Sequence, residues 1–412
     1  MPISDVAGLK AALLATVDQY IQPEPQPVPS RKVGYFTSWS VYDSYFLRDV
    51  DKVADRLTHI VYCFGAIDAT TLRVKLGDPW ADVEMGYSSA RSVDGVADVP
   101  SQALKGHFNQ LRKLKARHPH LRVLVALGGP GQQAQFAQAA ATAQSRAAFV
   151  SSVVDVFLHG NVPGLPVGAA AGIFDGFDLD WEFPLAADTA NLTALITECR
   201  SQLDVFEIEF CRPDLELTAW VPANKQWATY WSDAELDKFS FIVVQGYDLH
   251  GPWEGTTNYT SALDTDYPDK TWFTCHQAVT LWLSKGVSAR DLVLGVPFYC
   301  NGWANVAPGP NGDGLWQPGT GISSGSMYRA VVAARGVMSR KVGMGASKYN
   351  AAGRIFYSVD DAGVMADKAA YLVNKGLGGF AAWELRGDTP DAVLLSTLSA
   401  GLGKGPRCTS SR

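Results

Sequence analysis

The sequence predicts an α/β protein, a (β/α)8 TIM barrel with a small α+β insertion after its seventh strand. Eight short apolar runs typical of strands alternate with amphipathic helical patterns between residues 32 and 401. This alternation indicates parallel strand pairing, and eight strand–helix units fit a closed barrel. The main alternative is an open doubly wound sheet. It is disfavoured because no GxGxxG-type turn follows the first run.

Each predicted strand is rich in the β-branched, aliphatic and aromatic residues of buried strands. In chain order the runs are 32–39, 59–67, 122–129, 174–182, 216–222, 241–248, 292–299 and 378–385. The helical patterns between them include 102–117, 134–159, 186–208, 271–285, 361–375 and 390–401.

Two intervals are too long to be simple connections. Residues 68–100 follow the second run, and residues 301–354 follow the seventh. The second interval is rich in Gly, Pro and Ser, with a short helical patch at 326–340. Long inserts usually form functional walls or lids. Both follow strands, so we expect them on the face where barrels carry their active sites.

The chain divides into a barrel, an insertion and two terminal segments. We expect residues 1–31 to form an amphipathic helix and a Pro-rich linker. The barrel comprises 32–300 and 355–401, the insertion 301–354 interrupts it, and 402–412 form a C-terminal tail. The N-terminus lacks the basic region and long apolar core of a secretory signal.

The composition is that of an ordinary globular protein, with 47% hydrophobic and 18% charged residues. A net charge of −6 argues against nucleic acid or an anionic membrane as a partner, and no run resembles a transmembrane helix. We expect a monomer. The six cysteines form no CxxC or Cys/His cluster, which argues against a zinc site. Cys63 and Cys300 lie in apolar runs and are predicted to be buried free thiols, whereas a Cys199–Cys211 disulfide is left open.

The segment "FDGFDLDWEFP", residues 174–184, carries four carboxylates in a run that is otherwise apolar. Side chains alternate along a strand, so Asp178, Asp180 and Glu182 share the face that points into the barrel. Asp175 precedes the series and is expected to organise the turn with Gly176. Repulsion and burial raise the pKa of the outermost acid, which makes Glu182 the candidate general acid. We expect Asp178 and Asp180 to share a proton.

Two other interpretations of the acidic strand are weaker. A metal site would gather ligands from several loops, and no second acidic cluster is present. A solvated edge strand is incompatible with a closed barrel. We therefore predict no metal and no cofactor.

Five motifs carry a resemblance to a known family. "DGFDLDWE" is similar to the DxxDxDxE signature of family 18 glycoside hydrolases, the chitinases, and "GYFTSW" resembles their first strand. "QGYDLHGPW", "GVPFYCNGW" and "GLGGFAAWEL" resemble the sixth, seventh and closing strands, so the similarity covers 32–401. It implies hydrolysis of β-1,4-linked N-acetylglucosamine polymers with retention, with chitin or chitooligosaccharides as the partner. It also implies an extracellular location.

The family scheme uses one acid and the N-acetyl oxygen of the substrate as the nucleophile. The resemblance implies that Glu182 protonates the glycosidic oxygen and later activates water. Asp180 would orient the acetamido N–H, and Tyr247 would donate to the acetamido oxygen. Asp178 would tune Asp180, with Tyr35 as its partner.

The remaining predicted substrate contacts surround this centre. Trp383 is expected to form the apolar floor beneath the sugar that reacts, and Asp248 and Gln245 to line the same subsite. The other predicted binding residues are Phe64, Tyr299, Trp253 and Trp303. Further loop aromatics able to stack on sugars are Trp39, Trp80 and Trp316.

Four positions depart from the family pattern. Ala126 replaces a Ser that hydrogen-bonds the middle Asp, so we expect the Asp178 network to lack one donor. Pro130 replaces an aromatic on the leaving-group side, Asn301 replaces an Arg that contacts sugar, and Gln245 replaces Met. The resemblance also identifies 301–354 as a reduced version of the chitinase insertion domain, forming one wall of the groove.

Two other functions remain open. A chitinase-like lectin would keep the barrel and lose the acid, whereas Glu182 is present. An endo-β-N-acetylglucosaminidase acting on N-glycans usually lacks the insertion after the seventh strand. Endo or exo action cannot be predicted from the sequence.

Overall fold

The structure is a computed structural model that describes residues 31–264 and 273–403. Eight parallel strands close into a barrel, which confirms the predicted fold. Closure occurs at β1, where Gly34 is level with Ile60 on one side and Ala382 on the other. The strands are β1 (Arg31–Thr37), β2 (His59–Ile67), β3 (Val74–Leu76), β4 (Arg122–Gly128), β5 (Gly176–Asp180), β6 (Glu216–Val221), β7 (Phe241–Val244), β8 (Leu292–Pro297), β9 (Tyr299–Ala304), β10 (Thr320–Met327), β11 (Val337–Lys341), β12 (Gly345–Asn350), β13 (Ile355–Val359) and β14 (Gly379–Trp383).

The barrel strands are β1, β2, β4 to β8 and β14, and each lies within one of the eight predicted runs or begins one residue before it. The α-helices are Leu47–Asp51, Gly106–Arg117, Gln133–Ala140, Ala143–Val153, Thr189–Phe210, Lys225–Ala228, Cys275–Ser284, Tyr328–Ala333, Ala362–Lys375 and Val393–Gly401. The helix predicted over 134–159 is broken. Thr142 has extended backbone and accepts a hydrogen bond from the Ser145 N–H, so it caps a new helix.

The segment after the seventh barrel strand forms its own sheet. Strands β9 to β13 are antiparallel in the order β10-β9-β13-β12-β11, so this sheet extends over 299–359. The helical patch predicted at 326–340 is α-helical only over Tyr328–Ala333, with the end of β10 before it and β11 beginning at Val337. Because β9 starts two residues after β8 ends, the sheet is anchored directly on the mouth of the barrel.

The core has two layers. Side chains that point into the barrel, such as Val33, Leu124 and Val293, fill its interior. Side chains that point outward pack under the helices, and Trp181 belongs there, stacked on Phe136 at 5.2 Å. The alternation of inward and outward residues thus places acids inside and Trp181 outside on the same short segment.

Asp175 does more than organise a turn. It forms ion pairs with Lys115 and Arg212 and accepts a hydrogen bond from the Val123 N–H. These contacts tie β5 to its neighbours at the end of the barrel where the strands begin.

Cys63 and Cys300 are buried free thiols, as predicted. Cys199 and Cys211 are also free, so they form no disulfide. The predicted helix and linker within 1–30, the start of the 271–285 helix and the tail from 404 onward lie outside the described residues. Across 31–264 and 273–403, no helix is long and apolar enough to cross a membrane.

Candidate active site

The acidic strand β5 sends its side chains into the barrel mouth. Asp178 is fully buried and Asp180 nearly so, whereas Glu182, two residues past the strand, is partly exposed. Phe177 and Leu179 pack outward among the helices. The three acids therefore form a series that rises from the interior towards the cavity.

The hydroxyl partner of Asp178 comes from β6. Asp178 is level with Ala126 on one side and Thr218 on the other. Thr218 Oγ1 donates to Asp178 Oδ1 at 2.5 Å, and Tyr35 Oη donates to Oδ2 at 3.5 Å. The expectation that Ala126 leaves the network one donor short is wrong, because the opposite neighbour supplies the hydroxyl.

Burial raises the pKa of Asp178 to about 6, and the hydrogen bonds from Thr218 and Tyr35 oppose that rise. Burial also raises the pKa of Asp180, followed by the charges of Glu182 and Asp178. The pKa of Glu182 is raised as well, mainly by burial. Two adjacent acids with raised pKa values retain a proton between them towards neutral pH.

The hydrogen bonds connect the acids differently from the expectation that Asp178 and Asp180 share a proton. Asp180 is hydrogen-bonded to Glu182, and the hydrogen-bond partners of Asp178 are Thr218 and Tyr35. Asp180 Oδ1 is buried and has no hydrogen-bond partner within 31–264 and 273–403. The middle acid thus has one oxygen engaged with Glu182 and one free to accept a donor.

Tyr247 follows β7 at the rim. Its hydroxyl accepts a hydrogen bond from Trp220 Nε1 at 2.9 Å. Burial raises the pKa of Tyr247 well above its usual value, with further contributions from Asp180 and Glu182. The phenol therefore stays protonated and, with its oxygen already accepting, its hydrogen is directed to another acceptor.

Trp383 lies at the end of β14 among other aromatic rings. Its ring centroid is 5.3 Å from that of Tyr35 and 5.9 Å from that of Phe64. Phe64 in turn lies 6.0 Å from Trp39. These side chains form a continuous apolar surface on the β1, β2 and β14 side of the mouth.

Asn301 stands where the family pattern has an Arg that contacts sugar. In this structure the Asn301 side chain is buried. Its Nδ2 donates to Asp248 Oδ1 at 3.0 Å and to Thr260 Oγ1 at 2.7 Å, and its Oδ1 accepts from the Gly325 N–H. Asn301 thereby fixes Asp248 relative to the insertion. Burial raises the pKa of Asp248, and the Asn301 hydrogen bond opposes this.

One cavity of about 280 Å³ collects most of these groups. It brings together Asp180, Glu182, Tyr247, Asp248 and Trp383, with Asp178 buried below. Phe64 and Gln245, which were also predicted to contact substrate, are not among the residues that line this cavity. The cavity is lined by Tyr35, Trp39, Pro130, Asp180, Glu182, Trp220, Tyr247, Asp248, Tyr299, Gly325, Met327, Trp383, Glu384 and Arg386.

Two predicted sugar-binding tryptophans lie elsewhere. Trp303 is fully buried in the insertion, where its ring packs on Phe356 and its Nε1 donates to the Glu254 carbonyl at 3.0 Å. The prediction that Trp303 contacts substrate is wrong, because this face of β9 forms the core of the insertion. Trp253 is 60% exposed but does not line the cavity.

Sequence reasoning missed four groups. Thr218 and Trp220 could have been found from strand alternation in "ELTAWVP", which places both inside the barrel. Glu384 is the residue after Trp383 and Arg386 lies three residues after it, and no pattern in the sequence indicates that they turn into the cavity. None of the described His, Cys, Asp and Glu side chains forms a cluster that could hold a metal ion.

Comparison with known proteins identifies the family of the chain. Residues 31–388 match the family model for glycosyl hydrolases family 18. The chain is 31% identical over 392 residues to Chitinase 63 of Streptomyces plicatus, covering 92% of this chain and 62% of that protein. It is 32% identical to Chitinase C of Streptomyces lividans, covering 87% of this chain and 57% of that protein. The chain thus spans about three fifths of the length of these curated relatives.

One solved structure is similar to this chain both in fold and in length. The catalytic domain of psychrophilic chitinase B from Arthrobacter TAD20 superposes with a TM-score of 0.86 and 33% identity, covering 92% of this chain and 97% of that one. The chain belongs to the glycosyl hydrolases of family 18.

Proposed function

We propose that this protein is a chitinase that hydrolyses β-1,4-linked N-acetylglucosamine polymers with retention. One observation carries the proposal. The hydrogen-bonded acids Asp180 and Glu182 share a cavity with the phenol of Tyr247 and the indole of Trp383. Chitin or chitooligosaccharides supply the acetamido group that completes the reaction. The relatives named chitinase support the same substrate class.

In the first step, Glu182 gives its proton to the glycosidic oxygen, and the bond from that oxygen to the anomeric carbon breaks. The acetamido oxygen forms a new bond to the same carbon, which yields a cyclic oxazolinium ion. Asp180 Oδ1, buried without a partner among the described residues, accepts the acetamido N–H. Tyr247 donates to the acetamido oxygen and orients it.

In the second step, water replaces the acetamido oxygen at the anomeric carbon. Glu182, now ionised, takes the proton of that water, so the acid is regenerated. Two successive inversions at one carbon give net retention. Buried Asp178 adds negative charge below Asp180 and stabilises the cationic intermediate.

The lectin and N-glycan alternatives are less well supported. A protein that only binds sugar has no need of an acid whose pKa is raised by burial, yet Glu182 has that property and lines the cavity. The five-stranded insertion forms part of the lining through Gly325 and Met327 and so supports a walled groove for a linear chain.

The experiment is turnover of chitotetraose by Glu182→Gln, with exposed Glu209→Gln as the matched control. We expect at least a thousandfold loss of kcat for the first variant and unchanged kcat for the second. Unchanged turnover in Glu182→Gln would refute the proposal. Sugar release from chitin, compared with deglycosylation of a glycoprotein, separates the N-glycan alternative.

We further propose action on the polymer outside the cell. Tyr42 and Trp80 are both about half exposed, and their ring centroids lie 5.9 Å apart in a stacked pair, on the segments that follow β1 and β3. Sugar rings stack on such surfaces.

The products formed from chitooligosaccharides of defined length distinguish endo action from exo action.

A further inference from the structure

The rim of the cavity opposite the acids carries three charged side chains. Arg386 forms ion pairs with Asp43 through Nη1 and with Glu384 through Nη2, the latter at 2.8 Å. Asp43 belongs to the loop after β1, and the other two follow β14. We call Asp43, Glu384 and Arg386 the rim triad.

Arg386 is held in place but incompletely satisfied. Only 9% of its side chain is exposed, and it lines the cavity. Its Nε is buried and has no hydrogen-bond partner among the described residues. Leaving a buried donor unpaired lowers stability, so an unsatisfied arginine at a cavity wall suggests a role with a ligand.

Glu384 is oriented from several directions. It accepts from Thr37 Oγ1 at 2.6 Å and from Arg386, and Trp39 also hydrogen-bonds to it. The carboxylate therefore fixes one end of the guanidinium against β1. Because two carboxylates surround one cation, the rim triad has no excess positive charge to attract an anion. Its remaining donors and acceptors match the hydroxyl and carbonyl oxygens of a neutral sugar.

The position of the rim triad identifies which sugar it contacts. Strands β5 and β14 are four steps apart in either direction around the barrel, so they face each other across the mouth. If the anomeric carbon lies beside Glu182 on the β5 side, the opposite end of the pyranose ring, carbon 4, points towards β14. The next sugar on the non-reducing side is attached at carbon 4.

We propose that Arg386 is a specificity-determining residue that binds the sugar on the non-reducing side of the one resting on Trp383. The inference rests on the proposed chitinase function. Arg386 donates to a hydroxyl or acetamido carbonyl oxygen of that sugar, and Asp43 and Glu384 hold the guanidinium in position. The contact is the same before and after bond cleavage, so it contributes to KM and little to kcat.

The test uses the 4-nitrophenyl glycoside of chitobiose. Release of nitrophenol requires both sugars on the non-reducing side of the scissile bond, so the second one must reach the rim triad. We expect Arg386→Gln to raise KM about tenfold, as for the loss of one charged hydrogen bond, with kcat within about twofold of wild type. Exposed Arg335→Gln is the matched control and should leave both constants unchanged.

Asp43→Asn provides a second variant in case Arg386→Gln folds poorly. The Asp43 side chain is 55% exposed, and the change frees only one end of the guanidinium. We expect a smaller rise in KM of about threefold. Unfolding temperatures of all variants show whether they remain folded.

An unchanged KM in a folded, active Arg386→Gln would overturn the inference. A rise in KM for chitotetraose alone would also overturn it, since it would place Arg386 on the leaving-group side. If wild-type protein releases no nitrophenol and cleaves no chitotetraose, the proposed function fails instead.

Discussion

Thr218 donates a hydrogen bond of 2.5 Å to Asp178 from the strand on the opposite side to Ala126. This contact lowers the pKa of a carboxyl that burial raises to about 6. The barrel interior thus satisfies its deepest acid with a hydroxyl from β6. The arrangement makes Thr218 a positioning residue for the acidic series.

Replacing Thr218 by Val removes the hydroxyl and keeps the shape of the side chain. The pKa of Asp178 should then rise further, by about one unit, because a hydrogen bond to the charged form is lost. We expect the acidic limb of the kcat profile on chitotetraose to move to higher pH by that amount. Thr218→Ser keeps the hydroxyl and should retain the wild-type profile. Identical profiles for Val and Ser would show that the contact does not tune the site.

The raised pKa of Asp178 also predicts how stability varies with pH. The folded state binds this proton more tightly than the unfolded chain, whose pKa is near 3.8, so the proton stabilises the fold at low pH. This contribution is lost as pH rises from about 4 to about 6, and it amounts to roughly 3 kcal/mol. Asp178→Asn has no charge to bury. Its unfolding temperature relative to wild type should therefore be higher at pH 7 than at pH 4. If the difference in unfolding temperature between Asp178→Asn and wild type were the same at both pH values, Asp178 would not carry a buried charge.

A buried lysine supports the loop that carries Tyr247. Lys368 is fully buried and contacts Asp360 at 2.5 Å and Ser261, and Ser261 donates to the Gly246 carbonyl. Lys368→Met leaves the Asp360 charge unpaired, and we expect it to lower the free energy of unfolding by about 3–5 kcal/mol.

The control for this prediction is an exposed ion pair. Lys52 contacts Asp49 at 2.7 Å with 63% of its side chain exposed, so Lys52→Met should change the free energy of unfolding by less than about 1 kcal/mol. Urea unfolding followed by tryptophan fluorescence measures both. Equal effects in the two variants would mean that the Lys368 pair is not buried as described.

Trp303 and Trp253 should respond to truncation in opposite ways. Trp303→Ala creates a cavity in the core of the insertion and should lower the free energy of unfolding by about 3–5 kcal/mol. Trp253 is 60% exposed, so Trp253→Ala should change it by less than about 0.5 kcal/mol. Thermal unfolding of both variants measures these changes. A Trp303→Ala variant as stable as wild type would argue against burial of the Trp303 side chain.

The periodicity of the sequence predicted the barrel because the strands lie in largely apolar runs that alternate with amphipathic helical patterns. The acidic strand was equally predictable, since the alternation of side chains along a strand places Asp178 and Asp180 inside the barrel. Alternation would also have placed Thr218 inside, but a family pattern directed attention to Ala126 instead.

Other features depend on contacts between distant segments. Trp303 follows a strand motif closely and resembles a residue of the rim, yet the sheet of the insertion turns it into a core with Phe356. Arg386 meets Asp43 across a separation of 343 residues. No local pattern encodes which of several loop side chains will converge when a barrel closes.

The participation of the substrate's acetamido oxygen is the central claim, and it can be measured directly. Wild-type protein is given 4-nitrophenyl chitobiosides whose reacting sugar carries N-acetyl, N-fluoroacetyl, N-difluoroacetyl or N-trifluoroacetyl groups. Each fluorine makes the carbonyl oxygen a weaker nucleophile, so the account predicts that kcat falls stepwise across the series. A kcat that is independent of fluorine content would contradict it and would identify a protein carboxylate or water as the attacking group.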